Sequence, residues 1–298
     1  MAIDTVAVIG RGALGLLFGE WLGARMAPGA VQFVMDDARF AEKGAQRLLV
    51  NGELARVPVV PASQAHPVDL VLLAIKTTGL ELALDTMEGL MGPRTTVLSV
   101  CNGVTSEERV AERFGWQGVP LAVAQGMDAV FMGGELTYRQ RGEIRLGPAT
   151  GTAPWVVPEL DAFLTAMDVP HAVEEDIDHR LWTKWMLNVG VNQTCAAFGG
   201  TYGSVSAPGE QNRVFVGAMR EALACARAEG HDVTERDLMA MAQLMASLTP
   251  DGIPSMAQDR LNGKRTEVEE FGGTVLRLAE RHGLLVPTNA WLVERIEG

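Results

Sequence analysis

Residues 5–9 are all apolar or β-branched and the run stops at Gly10, the pattern of a parallel strand covered on both faces. Beyond the glycines, Leu14, Leu17, Phe18, Trp21 and Leu22 recur at helical spacing, which predicts a helix over 13–25 with one apolar face. Residues 31–35 read as the next strand. Two further apolar runs, 68–75 and 96–101, flank a helical stretch over 80–90. Strands alternating with helices imply a doubly wound α/β sheet of the Rossmann type. From 121 to 148 the alternation weakens, and "LTYRQRGEIRLG" reads as two antiparallel strands joined at Arg141 and Gly142, in the outer part of that same sheet. A helix over 158–167 and the short segment "PHAVEED" follow. Beyond Ile177 strand signals vanish. Helical patterns run over 179–198, 213–228, 235–247, 267–281 and 289–296. The expected organisation is a Rossmann domain over 1–174 and a mainly α-helical domain over 175–298.

Composition narrows the function classes. Hydrophobic residues make up 47% of the 298 and charged residues 21%, enough apolar material for two cores. The net charge of −12 repels a nucleic acid backbone, so nucleic acid is not expected as a partner. No run approaches the roughly 20 apolar residues of a membrane span. The opening residues lack the basic start and long apolar core of a signal peptide, so a cytoplasmic location is expected. Cys101, Cys195 and Cys225 are far apart and odd in number, which suits small buried thiols rather than disulfides. The five histidines show no metal-ligand spacing, and no metal is expected.

Gly10, Arg11, Gly12, Ala13, Leu14 and Gly15 form a GxGxxG between the first strand and the first helix. Gly10 permits the turn, Gly12 lets a pyrophosphate approach the backbone, and Gly15 lets the helix lie close to the strand. The helix N-terminus adds unpaired N–H groups for phosphates. At the end of the second strand, about 20 residues after the last glycine, stands Asp36. A carboxylate there accepts hydrogen bonds from ribose hydroxyls and repels a 2′-phosphate, so the cofactor is NAD or NADP with Asp36 leaning towards NAD. Arg39 is a nearby cation able to meet a 2′-phosphate, which weakens that preference without reversing it. Asp36 and Asp37 also suit plain capping of a helix beginning near Ala38.

Lys76 and Asn102 follow two of the buried strands, on the sheet edge where ligands of such folds lie. Either residue also reads as ordinary surface: a cation and a turn residue before Gly103. In "HRLWTKWMLNVGVNQT", Lys184, Asn188 and Asn192 are four apart on one face of an otherwise apolar helix. Such groups are costly to bury alone. They satisfy the backbone of neighbouring segments, or they face a polar ligand.

These segments, with "AIK" at Lys76, "CNG" at Asn102, "LWTKWMLNVGVN" around Lys184 and "SMAQDRLNGKRTEVEEFGG" from Ser255 to Gly273, resemble the ketopantoate reductase (2-dehydropantoate 2-reductase) family over nearly the whole chain. The resemblance implies reduction of a small 2-oxo acid, most directly 2-dehydropantoate, by a nicotinamide cofactor. It implies Lys184 as the general acid that protonates the nascent alkoxide. Glu267 would meet the substrate hydroxyl and orient that lysine, though a carboxylate there also suits a helix N-terminus. Asn188, Asn192 and Ser255 would surround the substrate, and Lys76 and Asn102 the junction of cofactor and substrate. A homodimer is the expected assembly. Three positions depart from the family pattern: Asp36 replaces an arginine for a 2′-phosphate, while Gly252 and Tyr202 replace two substrate-side asparagines. Two alternatives stay open: a same-fold reductase of another 2-oxo acid, and a catalytically silent nucleotide sensor.

Overall fold

A computed structural model describes residues 2–298. The chain divides into two compact units, Met1–Ile177 and Asp178–Gly298.

The first unit is α/β. In chain order its elements are β1 (Val6–Ile9), α1 (Ala13–Gly23), β2 (Val31–Met35), α2 (Asp37–Lys43), β3 (Leu49–Val50), β4 (Glu53–Leu54), β5 (Val59–Pro61), β6 (Leu70–Leu73), α3 (Leu80–Met87), β7 (Thr96–Ser99), α4 (Ser106–Phe114), β8 (Leu121–Met127), β9 (Val130–Met132), β10 (Glu135–Thr137), β11 (Arg141–Gly147), α5 (Val156–Ala166) and β12 (His171–Val173). Five parallel strands form the central sheet in the order β5-β2-β1-β6-β7. The order reverses direction between β1 and β6, which opens a crevice at their C-terminal ends.

The two innermost strands, β1 and β6, are wholly apolar because each face buries a different core. Val6, Val8, Leu70, Leu72 and Leu98 join one cluster with Leu16, Leu17 and Trp21 of α1. Ala7, Ile9, Val71, Leu73 and Val97 join another with Leu84 and Met87 of α3 and Val110 of α4. Alternate side chains of one strand serve opposite layers, the consequence of a two-residue period under helices on both sides.

Residues 121–148 do not extend this sheet. β8, β11 and β12 form a separate three-stranded sheet, with β11 antiparallel to β8 and parallel to β12. β10 belongs to a third sheet, beside β3 and β9. The two halves of "LTYRQRGEIRLG" therefore do not pair, and Arg141 and Gly142 are no hairpin turn. Gly142, at φ +67°, lies inside β11 facing the Gln125 carbonyl, which a Cβ would approach to 2.3 Å. It is a crowded, bent strand position that only glycine fills. The two-residue hairpin turn stands eight residues earlier, at Gly133 and Gly134, between Met132 and Glu135.

The second unit is helical: α6 (Ile177–Phe198, opening at the unit boundary), α7 (Tyr202–Ser206), α8 (Glu210–Ala228), α9 (Glu235–Ser247), α10 (Ser255–Leu261), α11 (Thr274–His282) and α12 (Pro287–Glu297). The single helix expected over 267–281 is instead a π-helical segment, Glu269–Gly273, running into α11. Gly272 sits where a Cβ would be 2.2 Å from Gln193 Oε1 and 2.4 Å from Val293 Cγ2, so the wide turn brings bare backbone against α6 and α12. Gln193 Nε2 donates to Asn289 Oδ1 at 2.9 Å, and Asn289 Nδ2 donates to Glu221 Oε2 at 2.7 Å. Glu221 also accepts the backbone N–H groups of Thr288 and Asn289, so α8 caps the start of α12.

Gly190 marks the closest approach of α6 to α8. A Cβ there would lie 2.5 Å from Met219 Cγ and 2.9 Å from the Phe215 carbonyl oxygen. The methionine can turn aside but the carbonyl cannot. Gly190→Ala is expected to destabilise the chain by about 1–3 kcal/mol and lower its melting temperature by several degrees. Thermal denaturation followed by circular dichroism checks this, and an unchanged melting temperature would refute the close approach.

Candidate active site

β1 ends at Ile9 and the chain turns at Gly10, at φ +110°. A Cβ on Gly10 would lie 2.2 Å from the Ala74 carbonyl oxygen, and one on Gly15 would lie 2.0 Å from that of Gly10. Both glycines are demanded by close backbone approach. Gly12 differs: no atom lies within 4 Å of a Cβ placed there. Its backbone faces open space, as a turn that admits a pyrophosphate must. Gly12 is the N-cap of α1, no side chain caps that end, and the first turn, which holds Ala13, Leu14 and Gly15, carries no acidic residue. The N-terminal N–H groups and the positive dipole end are thus available to an anion. These residues fit a dinucleotide.

A cavity of about 280 Å³ opens over this turn, lined among others by Gly10, Arg11, Gly12, Asp36, Arg39 and Lys76. Asp36 caps α2: its Oδ1 accepts the Arg39 N–H at 2.9 Å, and its Oδ2 lies 3.6 Å from Arg39 Nε. The capping role and the cavity position belong to the same carboxylate. Arg11 donates to the carbonyl oxygens of Lys43 and Gln46, at 3.4 and 3.2 Å, tying the glycine turn to the residues around the end of α2. Burial lowers its pKa, against the opposing pull of Glu20. Lys76 follows β6, in extended conformation at the start of a 3-10 turn, and shares the cavity with Asp36. Asn102 does not line that cavity. It lies half-buried between buried Cys101 and Gly103, whose φ is +100°.

Sequence reasoning missed the support behind Asn102. Ser106 Oγ donates to Glu107 Oε2 at 2.7 Å, Ser99 and Ser106 hydroxyls lie 2.8 Å apart, and the Cys101 N–H donates to Ser99 Oγ at 3.3 Å. All three side chains are buried at the end of β7. Ser-Glu at the start of a helix reads as an ordinary first turn, so nothing local marked Glu107 as interior.

In the second unit, Lys184, Asn188 and Asn192 occupy successive turns of α6, the first two half-buried and Asn192 only 4% exposed. Asn192 Oδ1 accepts from Ser255 Oγ at 3.3 Å and from the Met256 N–H at 3.2 Å. It caps α10, which Pro254 leaves without a side-chain cap. Of the two readings of that amide, satisfaction of a neighbouring backbone is the one observed. Glu267 is 5% exposed, and its carbonyl accepts the Glu270 N–H at 3.0 Å. Trp185, next to Lys184, donates its indole N–H to the Glu270 carbonyl at 3.3 Å, which holds the segment of Glu267 against α6.

The cysteines take no part in such a site. Burial pushes the Cys195 thiol up to about 12, and burial with nearby Glu221 and Glu229 pushes Cys225 up to about 11. Neither forms a thiolate near neutral pH. A disulfide reagent at pH 8 is expected to leave both unmodified in the native chain and to titrate all three free thiols in guanidinium. Rapid labelling of Cys195 in the folded protein would contradict the burial.

Comparison with known proteins now bears on these residues. The family model for the ketopantoate reductase PanE/ApbA matches residues 6–151, and the model for its C-terminal region matches 176–298. A 2-dehydropantoate 2-reductase from Caulobacter vibrioides is 26% identical over 297 residues, 98% of this chain and 97% of the relative. The crystal structure of 2-dehydropantoate 2-reductase from Geobacter metallireducens superposes with a TM-score of 0.84 at 23% identity, covering 98% of this chain and 99% of that one. D-mandelate dehydrogenase in complex with NADH reaches 0.85 at 20% identity, covering 98% and 97%. With the glycine turn under β1 and both family models matched in order, the chain belongs to the ketopantoate reductase PanE/ApbA family of oxidoreductases.

Proposed function

We propose that this chain reduces a small 2-oxo acid to the 2-hydroxy acid, with residues 1–174 binding a nicotinamide dinucleotide and residues 175–298 supplying the substrate residues. The observation that carries the reading is the polar face of α6: a half-buried lysine, then Asn188, then a buried asparagine that holds Ser255. Such a face is costly to maintain in an apolar helix unless neighbouring segments or a ligand satisfy it; Asn192 is satisfied by α10, and Lys184 and Asn188 are assigned to the ligand.

The dinucleotide, when bound, supplies hydride to the substrate's carbonyl carbon. Gly10, Gly12, Gly15 and the first turn of α1 would hold its phosphates, with Arg11, Ala13 and Leu14 framing that turn, and Asp36 its ribose hydroxyls. Lys76 and Asn102 would stand at the junction of cofactor and substrate. Lys184 donates a proton to the carbonyl oxygen, and its positive charge stabilises the negative charge that grows there. Glu267 orients that ammonium. Asn188 donates to the substrate carboxylate, and the Ser255 hydroxyl, which gives its one proton to Asn192 in the free chain, turns that hydrogen bond to the carboxylate when substrate binds.

Lys184→Ala is expected to fold and bind cofactor as the parent does, while kcat falls about 10²–10⁴-fold. Stopped-flow oxidation of reduced nicotinamide, with cofactor binding by fluorescence, checks both. Parental turnover would remove Lys184 from the chemistry, and cofactor binding with no turnover of any 2-oxo acid by the parent would favour a silent sensor.

The Asp36 carboxylate meets ribose hydroxyls favourably and a 2′-phosphate unfavourably, so NADH is the expected cofactor. Asp36→Arg is expected to shift the ratio of NADPH to NADH affinity upward by tenfold or more, about 1.4 kcal/mol. Equal affinity of the parent for both cofactors would defeat the preference.

A further inference from the structure

Tyr202 and Gly252, the two substrate-side departures from the family pattern, touch one another. Tyr202 opens α7, and its N–H donates to the Gly252 carbonyl at 2.8 Å; the Gly203 N–H donates to the Pro250 carbonyl at the same distance. The start of α7 is thereby fixed against residues 250–252. A Cβ on residue 252 would lie 2.7 Å from Tyr202 Cδ2 and 2.8 Å from Cε2. Gly252 is absent from the positive-φ positions, so backbone conformation does not call for glycine. The tyrosine ring does. A side chain at 252 would displace the ring, whose Cδ2–Cε2 edge fills the space that a Cβ would need.

Three residues later the same loop reaches exposed Ser255, whose hydroxyl is held by Asn192. Between them stand Ile253 and Pro254, which carry no side-chain hydrogen-bonding group. The loop that presents Ser255 is thus backed by a half-buried aromatic ring and is poor in donors. Burial also raises the Tyr202 pKa, with Cys195 adding to it, so the phenol stays neutral.

We infer that Tyr202 and Gly252 form a coupled specificity pair that selects a 2-oxo acid with an apolar, branched or aromatic substituent on the carbonyl carbon over one carrying a hydroxyl there. The inference rests on the 2-oxo acid reductase reading above. Two asparagines at these positions would offer four amide N–H donors and two carbonyl acceptors to a substrate hydroxyl; one ring over a glycine offers an apolar surface with a single phenol O–H at its tip. A hydroxyl pressed on that face loses its water without gaining a partner.

The test compares 2-dehydropantoate with 3,3-dimethyl-2-oxobutanoate, which lacks only the hydroxyl, and with phenylglyoxylate. The parent is expected to show kcat/KM about 10–100-fold higher for the two apolar acids than for 2-dehydropantoate, the range one group's contact with a pocket supplies. Tyr202→Phe should keep that order, because the ring is retained. The double variant Tyr202→Asn with Gly252→Asn should reverse it. A parent that prefers 2-dehydropantoate to its deoxy analogue overturns the inference and leaves the reductase reading intact. Failure of every 2-oxo acid to oxidise NADH or NADPH overturns both. If the double variant does not fold, the substrate ratio of the parent and of Tyr202→Phe decides alone; a Phe variant that loses the apolar preference also overturns the pair.

Discussion

Gly15 has no side chain because the Gly10 carbonyl lies where its Cβ would be, 2.0 Å away, and Gly10 has none because Ala74 stands in the same relation to it. This stack of bare backbone sets how closely α1 meets the sheet. It aims the N-terminus of α1 over the ends of β1 and β6, the two strands between which the sheet order reverses. Any Cβ in the stack would lift the helix and withdraw its N–H groups from the cavity that Asp36 and Lys76 share. Helix dipole, the Asp36 carboxylate and the strand-end Lys76 line one cavity because three backbone segments are allowed to touch.

The helical unit solves a different problem. Its long central helix carries polar side chains through an apolar interior, and each needs a partner at helix–helix range. Gln193 finds Asn289, Asn289 finds Glu221, and Asn192 finds the start of α10. Because these partners lie far apart in sequence, the polar contacts fix which helices meet and in what register. Apolar packing alone is more permissive. Ser255 therefore inherits its position from Asn192, 63 residues earlier. The loop that ends at Ser255 is indexed to the same helix that bears Lys184.

How much of this was legible depends on where the deciding contact lies. Strands with two covered faces announce themselves as short runs rich in apolar and β-branched residues, so β1, β2 and β7 were readable within a residue or two. The small strands were not, although their turns were written plainly. Asn51 and Gly52 join β3 to β4 with φ of +48° and +83°, and Gly133 and Gly134 join β9 to β10. Those are the strongest short hairpin signals, yet the flanking strands are two or three residues long and show no period. Gly142 misled for the converse reason: a glycine needed inside a strand looks in sequence like a turn. The π-helical segment left no local mark, because its cause is the crowding of Gly272 by Gln193 and Val293. Among the site residues, the glycine turn and the α6 face were legible as spacing. The capping role of Asn192 and the buried network at Glu107 were not, since each depends on a partner that only folding supplies.

Chemistry and selectivity consequently sit on parts of the fold with different tolerances. Lys184 rides a 22-residue helix whose neighbours are packed to contact, and Glu267 leads into a segment tied to that helix through Trp185. Displacing either disturbs the whole unit, so the lysine proposed as proton donor is hard to move. Tyr202 belongs to a five-residue helix fixed to its loop by two backbone hydrogen bonds, and its ring rests on a residue with no side chain. Exchanging that ring and that glycine for two amides alters the surface at the start of α7 and the loop that precedes α10. Two replacements that each look like the loss of a substrate contact become a single change of surface, from one that meets a hydroxyl to one that meets hydrocarbon. On the proposed reading, a fold arranged this way holds its reaction constant while the acid it accepts changes, because Lys184 lies within the long helix, whereas Tyr202 and Gly252 lie on a short helix and a loop, the loop held to α6 where Ser255 meets Asn192.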